Sequence, residues 1–483
     1  MKGRGMISNR YFSRVISLLM LVSALTASPF LVSAQQTTPA QDVREQQKSA
    51  PAQAVPAPRT TGVAPDAKAG AALVTEFEVN GLKVLIKRRE GSQTVAGGLF
   101  FRGGSRNINA QNAGIESLML SAATEASQNY PRERMRTELS KMGTSIGSGA
   151  NNDYSALSFA STRPNFDRSW DIFADVALHP SFLERDVNLV KSRTITGLQG
   201  ANDDPDSYLQ DLLEHAAYAG HPYLNDPQGS VETISKLTAD DLRAYHQKLL
   251  QTSRMLLVLV GDLNVEQLKG RITAAFSKVP RGDYKVTAVP ALQFNAPSVD
   301  ITQKTLPTNY VRGLYVAPSL SSTDYYPMQV ASAILNNRVL VEVRFKRNLS
   351  YAPEAFLDTD DANTGGLYVT AVDANQAVRV MLDEITRLKQ EPIGESDVTA
   401  TVAEFLTKYY LGQETNAAQV GELVKYELLG GGWRNSFDFI DRLKAVTPGD
   451  VQRVSQKYMK NLKFEVLGNP ENVDRKTFTN TGS

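Results

Sequence analysis

Two stretches of this chain, a little over 200 residues apart, carry the same signal. Leu237-Thr-Ala-Asp-Asp-Leu-Arg-Ala-Tyr245 runs on to the apolar segment Met255-Leu-Leu-Val-Leu-Val-Gly261-Asp262. Val446-Thr-Pro-Gly-Asp-Val-Gln-Arg-Val454 runs on to Phe464-Glu-Val-Leu-Gly468-Asn469. In each, a threonine stands where a helix N-cap is expected, and the helix leads into a strand closed by Gly-Asp or Gly-Asn. The offsets, 209 from Thr238 to Thr447 and 207 from Gly261 to Gly468, imply a duplicated domain. A fold for this chain must therefore be built twice.

Within a copy the pattern is mixed. Phe77 to Lys87 alternates around Asn80-Gly81 like a hairpin, and Val95 to Phe101 and Ser155 to Ala160 read as strands. Asn112 to Ser127 carries Ile115, Leu118, Met119 and Ala122 at helical spacing, and Trp170 to Leu178 is helix-like. Strict βαβ alternation is missing, which favours α+β over a doubly wound sheet. The expected domains are residues 73–280 and 298–473, joined by a Pro- and Gly-bearing linker at 281–297 and followed by a tail at 474–483.

Ahead of them, Lys2, Arg4, Arg10 and Arg14 precede an apolar run from Val15 to Leu25 and a small-residue stretch ending Val32-Ser33-Ala34. This three-part pattern predicts a signal peptide over residues 1–34 and export to the periplasm; left uncut, it would anchor the chain in the inner membrane. Residues 35–72, rich in Pro, Ala, Gln and Thr, are expected to be a disordered tether. The chain has no cysteine, which excludes disulfides, thiol catalysis, iron–sulfur clusters, Cys-type zinc sites and a lipoprotein anchor. Its formal charge of +1 becomes about −3 without the four leader bases, so no electrostatic footprint for nucleic acid is present.

Several fragments then fall in a suggestive order: Met142-Gly-Thr-Ser-Ile146, Asp175-Val-Ala-Leu-His-Pro-Ser-Phe182, Asp203-Asp-Pro-Asp206, His221-Pro-Tyr223 and Val260-Gly-Asp-Leu263. From about Thr75 to Asn472 the chain resembles the pitrilysin/insulinase-type metallopeptidases, in the branch of the mitochondrial processing peptidases. The resemblance implies two homologous α+β domains in a clamshell, with peptide bound across the inner face.

Active members of that family carry His-x-x-Glu-His on a helix and a distant Glu. Two imidazoles at i and i+4 bind zinc from one helix face, and the Glu activates water. The matching helix here is Ala113-Gly-Ile-Glu-Ser-Leu-Met-Leu-Ser-Ala122. Ser117 and Ser121 take the histidine places, Leu120 the general-base place and Gly197 the place of the distant ligand. A serine hydroxyl is a poor zinc ligand and leucine abstracts no proton. The expectation is no catalytic residue and no metal or other cofactor in this chain; zinc is expected in a homologous partner subunit.

Only four histidines are available. Asp211-Leu-Leu-Glu-His215, with His221 nearby, has the outline of a metal motif, but the resemblance places it on a structural helix. His179 and His246 read as packing or surface residues.

The second copy keeps more. In Leu340-Val-Glu-Val-Arg-Phe-Lys-Arg-Asn-Leu-Ser-Tyr351, Arg344 and Tyr351 match a family pair that hydrogen-bonds substrate backbone and supports oxyanion charge. The alternative is a surface Arg and a core Tyr. Thr364-Gly-Gly-Leu-Tyr-Val369 is expected at a sheet edge, with Ser145-Ile-Gly-Ser-Gly149 as its counterpart, either open to strand addition or merely glycine-softened. Gly430-Gly-Gly-Trp433 reads as a helix stop. Three functions follow in order of preference: a non-catalytic subunit of an exported heterodimeric metallopeptidase that helps bind peptide; an inactive envelope scaffold or peptide-binding protein; an enzyme with a new site at Asp211, Glu214 and His215.

Overall fold

The asparagine and glycine of the first hairpin both take positive φ, 49° at Asn80 and 92° at Gly81. That two-residue turn suits the right-handed twist of its strands. It opens the first of two sheets in the computed structural model, which describes residues 67–479. The signal peptide and most of the 35–72 stretch lie outside those residues.

The first sheet contains β1 (Val74–Val79), β2 (Leu82–Arg88), β3 (Thr94–Arg102), β4 (Ser145–Ala150), β5 (Tyr154–Thr162) and β6 (Met255–Gly261), in the order β1-β2-β6-β3-β5-β4. The second contains β7 (Ser298–Gln303), β8 (Asn309–Val316), β9 (Glu354–Leu357), β10 (Thr364–Ala371) and β11 (Lys463–Gly468), in the order β7-β11-β8-β10-β9. In both, the strand closing the repeat lies inside the sheet. β6 runs parallel to β2 and antiparallel to β3, and β11 runs parallel to β7 and antiparallel to β8. The duplication read from two threonines and two glycines is a duplication of sheet topology.

Seven helices carry the argument: α1 (Ile115–Ala123), α2 (Glu184–Asp203), α3 (Pro205–Ala217), α4 (Ala239–Leu249), α5 (Tyr325–Val339), α6 (Asn416–Leu429) and α7 (Pro448–Tyr458). Thr238 and Thr447 cap α4 and α7, each through a reciprocal box with Asp241 or Asp450.

β6 is apolar throughout because both its faces are covered. Leu257 and Leu259 join the core under the first half's own helices, while Leu256, Val258 and Val260 face the opposite way. That opposite face is packed by α6 of the second half, through Val420, Leu423 and Val424. The exchange is mutual, since α3 of the first half packs on β8 and β11 of the second. Each sheet borrows one helix from the other copy.

Polar contacts lock the exchange. Glu427 of α6 accepts from Lys83 at 2.8 Å, and Glu76 accepts from the Trp433 indole at 2.9 Å. At the opposite end, buried Asp153 takes Arg106 at 2.5 Å, the Tyr223 hydroxyl at 2.6 Å and the Asp361 amide at 3.1 Å. Residues 281–297 have no regular secondary structure but are pinned along their length, with Tyr284 bonded to Asn107, Thr287 to Arg106 and Pro290 to His221.

Three expectations change. Ala67–Ala72, inside the stretch expected to be disordered, is a short helix. Arg475–Thr479, set apart as a tail, is helical, and Phe478 is fully buried edge-on against Phe464 at 5.4 Å. Thr364–Val369 is not a sheet edge: β10 lies between β8 and β9, so β9 is the edge and the true counterpart of β4. The glycines that suggested an open edge instead admit neighbours, because a Cβ on Gly366 would lie 2.1 Å from the Gly313 carbonyl oxygen.

Candidate functional site

Helix α1 starts at Gly114, whose φ is 86°; a Cβ there would lie 2.8 Å from the Gln228 carbonyl oxygen. This close approach sets the helix beside both the edge strand β4 and α2. The Ser117 hydroxyl donates to Gln228 Oε1 at 3.1 Å, and the Gln228 amide in turn donates to the Ala150 carbonyl at 2.9 Å. The Ser121 and Ser148 hydroxyls lie 3.1 Å apart. Leu120, 1% exposed, belongs to the first half's core. Gly197 is exposed on α2, with open space where a side chain would start. Two hydroxyls already bonded to neutral neighbours, a core leucine and a glycine do not fit zinc.

One charged residue on α1 does have a role. Glu116 is buried and accepts from Arg254 at 2.7 Å, from the Tyr245 hydroxyl at 2.6 Å and from the Ser155 hydroxyl. Burial, with Glu116 beside it, pushes the Tyr245 hydroxyl well above its ordinary range and keeps it a donor. This cluster pins α1 to the sheet and to α4.

The four histidines all have partners. His221 bonds the Pro290 carbonyl at 3.0 Å and accepts from the Tyr223 amide, His179 meets Asp175 at 3.2 Å, and buried His246 bonds the Ala177 carbonyl at 2.9 Å. His215 turns back onto Asp211, 3.3 Å between side chains, while Glu214 takes Gln210 at 2.6 Å. Among the described residues no three His, Asp or Glu side chains converge as a metal site.

Arg344 and Tyr351 are brought together. After α5 the chain winds as a π-helix over Leu340–Lys346, and the Arg344 guanidinium lies 4.0 Å from the Tyr351 ring centroid. It also lies 5.3 Å from the Phe345 ring centroid. Among the described residues that guanidinium makes no hydrogen bond or ion pair, and Tyr351 is 67% exposed rather than in the core. Sequence reasoning missed Phe345, 66% exposed, although an aromatic residue in Val-Arg-Phe-Lys-Arg was a usable signal. It also missed Gln228, and it did not connect Ser148, within the Ser145–Gly149 stretch, to α1. Gly431 and Gly432, with φ of 74° and 123°, follow the end of α6, and the Gly432 amide bonds the Tyr426 carbonyl.

Comparison with known proteins bears on this arrangement. Residues 83–227 match the model of the insulinase family, peptidase family M16, and residues 236–405 match that of the peptidase M16 inactive domain. The chain belongs to peptidase family M16. An uncharacterized zinc protease of Streptomyces coelicolor is 24% identical over 307 residues, covering 59% of this chain and 65% of that protein. Mitochondrial-processing peptidase subunit beta of Saccharomyces cerevisiae is 22% identical, covering 82% of this chain and 90% of its own. Cytochrome b-c1 complex subunit 1 of Caenorhabditis elegans is 21% identical, covering 80% and 86%. Among solved structures, a protease from Helicobacter pylori superposes with a TM-score of 0.74 at 17% identity, over 82% of this chain and 99% of that one. The two-domain α+β architecture is the M16 fold.

Proposed function

We propose that this chain is a non-catalytic subunit of an exported, heterodimeric M16 peptidase. Its partner is a homologous subunit that carries the zinc, and peptide is held between the two. The observation that carries this reading is a contrast within one molecule. By the resemblance, Ser117, Leu120, Ser121 and Gly197 stand at the ligand and base positions, while a half-buried Arg344 lies on an exposed Tyr351 and, among the described residues, makes no hydrogen bond or ion pair.

In this reading zinc in the partner supplies the activated water, and this chain orients the peptide. The Arg344 guanidinium, held flat by Tyr351, offers its N–H edge to a peptide carbonyl and to the negative charge that grows on it. The unpaired side of β4 is a second place where peptide backbone could add. The leader pattern at residues 1–34 supports a complex in the periplasm, or on the inner membrane if it is not cut.

A test is to reconstitute the full chain with a homologous zinc-bearing subunit and follow peptide cleavage. Cleavage should depend on this chain, and Arg344→Ala should lower kcat/KM by about 100-fold, the effect of removing one oxyanion donor. A rate indifferent to this chain or to Arg344 would overturn the proposal. The similarity to a cytochrome b-c1 subunit motivates a second reading, an inactive scaffold. In that case a stable partner would lack any zinc motif, and Arg344 and Tyr351 would be dispensable.

A further inference from the structure

The turn after α5 has more chemistry than binding a peptide carbonyl requires. Residues 340–348 contain Arg344, Lys346 and Arg347 against a single acid, Glu342. That acid is already used, one oxygen by Lys346 at 2.6 Å and the other by Arg347 at 2.5 Å. Among the described residues Arg344 is therefore a cation without an anion, standing on a turn with a net charge of +2.

The surroundings of Arg344 are apolar and open. Its guanidinium lies near both the Tyr351 and Phe345 rings, each about two-thirds exposed, and Val341 of the same π-helix is 41% exposed. Val341 and Phe345, four residues apart in a π-helix of about 4.4 residues per turn, lie on the same side. Stacking on Tyr351 fixes the guanidinium plane and leaves its edge free, and that edge matches a carboxylate in a two-point pair. A neutral peptide carbonyl uses half of this fork.

We infer that this surface selects peptides with an internal acidic side chain next to an apolar residue. The carboxylate takes one two-donor edge of the Arg344 guanidinium, a remaining N–H stays available to the peptide carbonyl, and the apolar side chain covers Phe345 and Val341. The inference rests on the peptide-binding role proposed above and adds a substrate class to it. Charge complementarity decides the occupant, since the one local acid is saturated and a basic peptide would face a turn of net charge +2.

The test uses the purified full chain with any subunit that copurifies. Fluorescein-labelled, amidated nonapeptides, identical except for a central Phe-Glu, Phe-Gln or Phe-Lys, are titrated by fluorescence anisotropy. The Glu peptide should bind about tenfold more tightly than the Gln peptide at low salt, in line with a charge-assisted pair. The preference should shrink in about 0.5 M salt, where screening shortens to a few ångströms. Arg344→Gln should abolish it, and Phe345→Ser should weaken the Glu and Gln peptides alike. Phe345 is exposed and Arg344 half-buried, and matching thermal unfolding of the variants checks that the fold is intact. Equal binding of the Glu and Gln peptides, with both weakened by Arg344→Gln, overturns the acidic selectivity and leaves the peptide-binding role standing. A Glu preference that survives Arg344→Gln also overturns it. Failure of all three peptides to bind removes both.

Discussion

Leu120 and Ser121 are neighbours on α1, at two of the positions where the resemblance implies lost catalytic groups. Their present environments differ. Leu120 is sealed in the first half's core, whereas Ser121 bonds one hydroxyl at the helix surface. Leu120→Ala should therefore lower unfolding free energy by about 2–4 kcal/mol, the usual range for an emptied leucine site. Ser121→Ala should lower it by less than about 1 kcal/mol. Urea midpoints of the two variants check this, and equal costs would show that Leu120 is not packed as described. The expectation of no zinc site rests only on which residues are present. The role of Glu116 was not legible in the sequence, because Tyr245 and Arg254 reach it from 129 and 138 residues away.

Between elements, Asp324 at the start of α5 holds α7 in place. Its carboxylate accepts from Arg453 at 2.7 Å, Lys457 at 2.8 Å and the Tyr458 hydroxyl at 2.9 Å. Burial alone would raise its pKa, but the bonds from Lys457, Arg453 and Tyr458 outweigh it and hold the carboxyl down at about 2. A folded pKa below the unfolded value of about 3.9 stabilises the protein above that pH, and the contribution is lost as pH falls through about 2. Asp324→Asn should cost about 1–2 kcal/mol at pH 7, discounted because both cations are half exposed. The gap between the variant and the parent in denaturation midpoint should narrow from pH 5 to pH 3; a gap that widens would contradict the sign. The helices themselves were readable, since Thr238 and Thr447 announce their caps. Asp324 was not, having no local pattern that points to α7.

For the molecule as a whole, the exchange of α3 and α6 makes two copies behave as one unit. Without α6, Leu256, Val258 and Val260 would face water, and without α3 the second sheet would lose the cover over Leu314 and Phe356. Calorimetric and van't Hoff enthalpies should agree for a single unfolding transition, as for one cooperative domain. Two resolved heat-capacity peaks would mean that the halves fold separately. Counting the repeat gave two domains; it could not show that each is incomplete alone.

The sequence by itself determined the duplication, the capped helices and the Asn80-Gly81 turn. These depend on residue identity, on hydrogen bonds spanning a few residues and on backbone sterics. Tertiary structure alone decided that β10 is interior and β9 the edge, that Leu120 is core, and that Arg344 lies on Tyr351 rather than reaching an acid. An edge is a property of a sheet and not of a strand, and burial depends on what the rest of the chain brings alongside. Both are set by pairings between distant segments, which local patterning does not encode.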